Sequence, residues 1–177
     1  MMKYRSSWRL LLITIVWLGW DPSRAWAAVN DDQLKAVYLY RFPMLADWPT
    51  QAKGEVTDYC ITRESSTGDY LSEIIASKTS PARFIDLSQS DKSQTAICHI
   101  LYVDGQDREH VVELAKRYPY ALTIGTGVQF VSLGGMLAFI KVNNRIKPLI
   151  SQNNVEKSSV RLRAQLLAIS ELAEEKK

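Results

Sequence analysis

The stretch that most limits how this chain can fold is Ile97–Val103, Ile-Cys-His-Ile-Leu-Tyr-Val, apolar throughout except for His99. Successive side chains of a strand point to opposite faces, so a strand with one wet face alternates apolar and polar residues. A strand that is apolar at nearly every position has to be covered on both faces, as in a parallel sheet. The neighbouring segments supply that cover. Tyr59–Thr62, Phe84–Leu87 and Ala121–Ile124 read as further short strands. Asp69–Ser77 carries Tyr70, Leu71, Ile74 and Ile75 at helical spacing, with Thr67-Gly68-Asp69 as turn and helix start. Asp107–Tyr118 carries Val111, Val112, Leu114 and Ala115 before Pro119 stops it. Strand–helix–strand–helix–strand in this order is a βαβ series. It predicts an α/β domain of layered elements joined by right-handed crossovers.

Ahead of this body, Leu34–Pro49 (LKAVYLYRFPMLADWP) is rich in aromatics. Leu34, Val37, Tyr38 and Leu45 recur at spacings that share one side of a helix. Pro43 lacks an N–H and clashes with the preceding turn, so that helix should bend or end near Phe42. Trp48-Pro49 marks an exit. Behind the body, Gly134-Gly135 leads into an apolar strand, Met136–Val142. Asn143-Asn144 then suits a two-residue hairpin, because asparagine tolerates positive φ. Arg145–Ile150 should return antiparallel at the sheet edge, where Pro148 costs no ladder bond. Ser88–Thr95 reads as a polar loop, and Ser151–Ser159 as a capped polar helix or a long loop. Val160–Leu162 reads as a brief extended piece, and Ala164–Glu175 as a final helix with a solvated tail.

The N-terminus has the parts of a secretory signal peptide over residues 1–27. Lys3, Arg5 and Arg9 precede Leu10–Trp20, an apolar run of 11 residues, and Ala25-Trp26-Ala27-Ala28 offers cleavage after Ala27 or Ala28. The run falls short of the roughly 20 residues that a membrane span needs, although a retained anchor is the competing reading. The precursor's net charge of +3 belongs mostly to this leader. Without its four basic residues and one acid, 18 basic and 18 acidic residues remain. Such a balance offers no basic field for nucleic acid. Residues 28–177, about 150 of them, fit one domain with a core of its own.

An exported chain with two cysteines suggests one disulfide, Cys60–Cys98, with both residues on strands. Two reduced, buried thiols acting as small apolar residues are the alternative. The chemistry-bearing patterns are sparse. Gly125-x-Gly127 follows a strand, but the third glycine of a dinucleotide fingerprint is missing and no helix clearly follows, so it reads as a tight turn. No P-loop or GxSxG elbow occurs, and the many serines have no evident His-Asp partner. His99 and His110, the two histidines, read as scaffold, and no metal-ligand spacing links them to the cysteines. An enzyme is not expected, nor a cofactor or metal. One cationic cluster stands out: Lys157, Arg161 and Arg163, with Arg145 and Lys147 nearby in sequence. It reads either as a solvated edge or as a patch for a small anion or a partner.

Three stretches, KAVYLYRFPMLADWP (35–49), ALTIGTGVQFVSLGGMLAFIKVNNRIKPLI (121–150) and VRLRAQLLAIS (160–170), resemble the YfiR family of periplasmic repressors. The resemblance implies an α/β/α sandwich that dimerises, with a mostly parallel sheet and an edge hairpin. It implies partners too. The periplasmic domain of an inner-membrane diguanylate cyclase, YfiN, would be held inactive. An outer-membrane OmpA/Pal-like lipoprotein, YfiB, would sequester the repressor. Less cyclic di-GMP would then disfavour biofilm. The family's partner surface carries over to Val155, Lys157, Arg161 and Arg163, of which only the Val160-Arg161 core matches well. A second cysteine pair that relatives carry around Gln129–Leu137 is missing, so a redox switch through it cannot operate in this chain.

Overall fold

The computed structural model describes residues 30–89 and 97–174. The leader, most of the polar loop after Leu87 and the last three residues lie outside the described residues. Helix α1 (Asp31–Arg41) starts at Asn30, whose side chain accepts the Asp32 N–H, with Asp31 and Asp32 placed against the positive end of the helix dipole. It ends where Pro43 demands, in a 3₁₀ turn over Phe42–Leu45. Its fully buried residues are Ala36 and Leu39, continued by Phe42, while Leu34, Tyr38 and Leu45 pack around them half-buried. The inward face is thus rotated from the one expected, with Tyr38 on its flank, stacked on Phe42 and tilted against Phe139, ring centroids 5.9 Å apart in each pair.

Strand β1 (Ala46–Asp47) is short. Strand β2 (Thr57–Ile61) is followed by α2 (Ser66–Ala76), which begins three residues earlier than the apolar pattern implied. Ser65 caps it by accepting the Gly68 N–H, so the helix starts at the cap and not at the first acid. Strand β3 (Ala82–Asp86), strand β4 (Ile100–Tyr102), a 3₁₀ turn over Arg108–His110 and α3 (Val111–Arg117) come next. Then follow β5 (Leu122–Thr126), α4 (Val128–Ser132), β6 (Leu137–Val142) and β7 (Arg145–Ile150). The chain closes with α5 (Gln152–Glu156), β8 (Arg161–Leu162), α6 (Ala164–Ala168) and β9 (Glu171–Leu172).

Seven strands form one sheet in the order β3-β2-β4-β5-β6-β7-β9, parallel from β3 to β6, while β1 and β8 pair separately as an antiparallel ribbon. Leu39, Phe42, Leu71 and Leu166 pack with Ile61, Ile100, Ile124 and Phe139 in one core. Val111, Tyr118, Phe130 and Val131 pack with Cys60, Leu101, Ala138 and Leu149 in the other. Helices α1, α2 and α6 therefore cover one face and α3 and α4 the other, which is the expected α/β/α arrangement.

Several elements depart from the sequence reading. The final helix stops after five residues, and Glu171–Leu172 joins the sheet beside Leu149 and Ile150. Its apolar spacing suited a helix, but the unpaired backbone of β7 captured the segment: Ala173 N–H donates to Ile150 O at 2.8 Å and Lys147 reaches Glu171 at 2.6 Å. The hairpin forms as expected, with Asn143 and Asn144 at φ 49° and 60°, yet β7 is an edge only up to Pro148. A short helix does follow Gly127. Gly125 and Gly135 lie against opposite parts of the buried Phe130 ring, and a Cβ at either would collide with it.

The two cysteines are bridged, with Cα atoms 5.5 Å apart. Cys60 lies within β2, but Cys98 precedes β4 in a left-handed conformation, φ 52°, so only one of the pair sits on a strand. The reason lies on either side of it. The Ile97 N–H donates to the Asp58 carboxylate and the His99 N–H to the Asp58 carbonyl, so the chain must bend at Cys98 to reach one residue twice. The bridge spans 38 residues of sequence. Replacing both cysteines by alanine should lower unfolding stability by about 2–4 kcal/mol, the loop-entropy contribution of a bridge of this span, measured by urea denaturation of the purified protein.

A candidate functional site beside the β1–β8 ribbon

The four residues singled out from the cationic cluster are placed by α5, β8 and the turn between them. Ser151 caps α5 by accepting the Asn154 N–H. The Asn154 amide in turn donates to both Val131 O and Gly135 O at 2.8 Å, which ties one side of this short helix to α4 and the strand after it. Val155, the next residue, then faces a surface groove. The Ser158 hydroxyl donates to Val155 O and accepts the Val160 N–H, so the turn into β8 is held closed. β8 pairs with β1 in the register Ala46–Leu162 and Asp47–Arg161.

The groove has a volume of about 430 Å³. It is lined by the aliphatic Ile150, Val155, Val160, Leu162 and Leu167 and by the polar Gln152, Glu156, Ser158 and Arg161. Of the four candidates, Val155 and Arg161 line it, whereas Lys157 and Arg163 do not. Lys157 is exposed at the end of α5. Arg163 is occupied: its Nε and Nη2 grip the two Asp47 carboxylate oxygens at 3.1 and 2.6 Å, and its Nη1 donates to Met44 O at 3.2 Å. A two-pronged guanidinium–carboxylate contact is the strongest geometry an exposed pair can adopt, and here it locks the end of β8 to β1. Arg163 acts as a fastener for the ribbon, and among the described residues Arg161 makes no ion pair.

The partner of Arg163 was not visible in the sequence, because Asp47 lies 116 residues away and no spacing rule connects them. Lys147, grouped with the cluster by sequence, is spent on Glu171. His99 is scaffold, as read from the sequence: its Nε2–H donates to Ala52 O at 2.8 Å, its Nδ1 accepts the Asp58 N–H, and Trp48 meets it edge-on. Trp48 itself donates its indole N–H to Tyr120 O, which fixes the exit that its neighbour Pro49 announced. Among the described residues no group of three metal-ligating side chains is brought together.

The Asp47 carboxyl is held below its ordinary 3.8, first by the hydrogen bond from Arg163 and then by that cation's charge. A depressed folded-state value means the pair is fully formed above the ordinary carboxylate range and is lost as pH falls through the lowered one. Carbon-detected NMR should place the Asp47 titration below the ordinary 3.8 in the native protein and shift it upward in Arg163→Gln. Equal titrations in the two proteins would show that the pair does not form in solution.

A family model described as YfiR/HmsC-like matches residues 32–171, from the first turn of α1 to β9. No curated protein matches the chain. The match takes in both faces of the sheet, the disulfide and the groove, and the chain belongs to the YfiR/HmsC-like family.

Proposed function

We propose that the protein is a periplasmic repressor of an inner-membrane diguanylate cyclase of the YfiN kind. It binds the cyclase's periplasmic domain as a homodimer, holds it inactive and so lowers cyclic di-GMP and biofilm formation. A YfiB-like outer-membrane lipoprotein withdraws it. The observation that carries the reading is the family match over residues 32–171, since this is a family of regulators of diguanylate cyclase signalling. The positively charged leader with its Ala25-Trp26-Ala27-Ala28 ending supports export to the compartment where such a domain is reached. The groove supports this reading: its aliphatic side chains can be buried against a partner, and Arg161 offers a cation to a carboxylate there. Deleting the gene should raise cyclic di-GMP only in cells that keep the cyclase. Arg161→Glu should weaken capture of the cyclase's periplasmic domain while shifting stability by no more than about 0.5 kcal/mol, as surface substitutions do. An unchanged cyclic di-GMP level on deletion would sink the proposal.

A second reading, a sensor that binds a small ligand, is favoured by the same groove. Its volume of about 430 Å³ lies within the range of small-molecule sites. Calorimetry with a panel of amino acids and nucleotides decides between them: heat with the native protein that Arg161→Ala abolishes supports the sensor, and no heat with any compound removes it.

A further inference from the structure

The sheet has a second place where α/β proteins bind ligands. Strand β2 lies between β3 and β4, so the chain leaves it toward one side of the sheet and then returns on the other. Such a reversal opens a crevice outside the carboxyl ends of the two diverging strands. At those ends the backbone is drawn together: the Thr62 N–H donates to Tyr102 O at 3.1 Å, and the Thr62 hydroxyl accepts the Asp104 N–H at 3.0 Å. Just beyond lies a cavity of about 220 Å³ walled by Leu87, Leu114 and Tyr118. Thr62, Asp107, His110 and Arg117 supply its polar lining.

The lining holds one acid, Asp107, and one permanent cation, Arg117, and the acid is paired elsewhere. Asp107 is already gripped by Arg63, with Nη2 to Oδ1 at 2.9 Å. The Asp104 side chain accepts the Gln106 N–H. Asp86, at the end of β3, accepts from the Ser88 hydroxyl and N–H. Asp107 is thus the acid of the lining, and it is paired with a cation, whereas Asp104 and Asp86 lie outside the lining and keep their charge. Among the described residues, Arg117 and His110 make no ion pair. Arg117 is exposed, with its guanidinium carbon 5.6 Å from the centre of the Tyr118 ring.

From the crevice, its apolar walls and this cation we infer that the cavity binds a small organic anion. A phosphate or carboxylate would meet Arg117 and His110, with a compact apolar body between Leu87 and Leu114. The volume, below that of drug-sized pockets, suits an occupant of one ring or its equivalent. This site is separate from the Arg161 groove and stands or falls independently of the repressor reading.

The test is an amide NMR titration of the purified protein with inorganic phosphate and, separately, with phenyl phosphate. The inference expects saturable shifts at Thr62, His110 and Arg117, with phenyl phosphate the tighter of the two because of the apolar walls. Arg117→Gln should weaken phenyl phosphate about tenfold, the loss expected for one charge-assisted contact, and His110→Asn should weaken it too. Arg145→Gln, on the distant hairpin, should leave binding unchanged. Shifts that never saturate, that follow all exposed cations alike, or that survive both Arg117→Gln and His110→Asn would overturn it.

Discussion

The buried carboxylate of Asp58 is the joint on which the molecule depends. It sits 2 % exposed, and a charge so placed is tolerable only if its lone pairs are taken. Arg83 takes both oxygens, at 2.9 and 2.8 Å, and the Ile97 N–H takes one again. The backbone of the same residue accepts the His99 N–H and donates to the His99 ring. Asp58 thereby joins β3, β2 and the entry to β4, three neighbouring strands that are far apart in sequence. The bend this imposes brings Cys98 to Cys60, so the bridge completes a geometry that hydrogen bonds already demand.

That joint lies at the amino ends of the parallel strands, and the cavity with Arg117 lies at their carboxyl ends. The two ends do different work. One is closed by satisfied polar groups and holds the sheet in register. The other is left open by the reversal of strand order, and among the described residues Arg117 there makes no ion pair. The groove beside the β1–β8 ribbon is a third region, held from outside the main sheet by the Asp47–Arg163 grip and the Ser158 turn. The two proposed binding surfaces thus have separate supports, and loss of one need not disturb the other.

The cationic cluster shows how proximity in sequence and proximity in function diverge. Lys147, Lys157, Arg161 and Arg163 looked like one patch. The fold gives Lys147 to Glu171 and Arg163 to Asp47, and leaves Arg161 at the groove. Where a bidentate acid is in reach, an arginine becomes structural, and where none is, it remains available to a partner.

What the sequence by itself determined was whatever depends on residues close together along the chain. The doubly covered strand, the break at Pro43, the Asn143-Asn144 turn and the alternation of strand and helix all follow from local backbone chemistry and apolar period. The bridge between the two cysteines was expected from their number in a chain read as exported, and the structure decided against two reduced thiols. Only the tertiary structure decided which helix face turned inward, where Arg163 spends its charge and why Cys98 leaves the strand. It alone decided that Glu171–Leu172 is a strand, since a free sheet edge offers backbone partners that overrule a weak helical preference. These outcomes rest on contacts between segments tens of residues apart, and no spacing rule reaches that far.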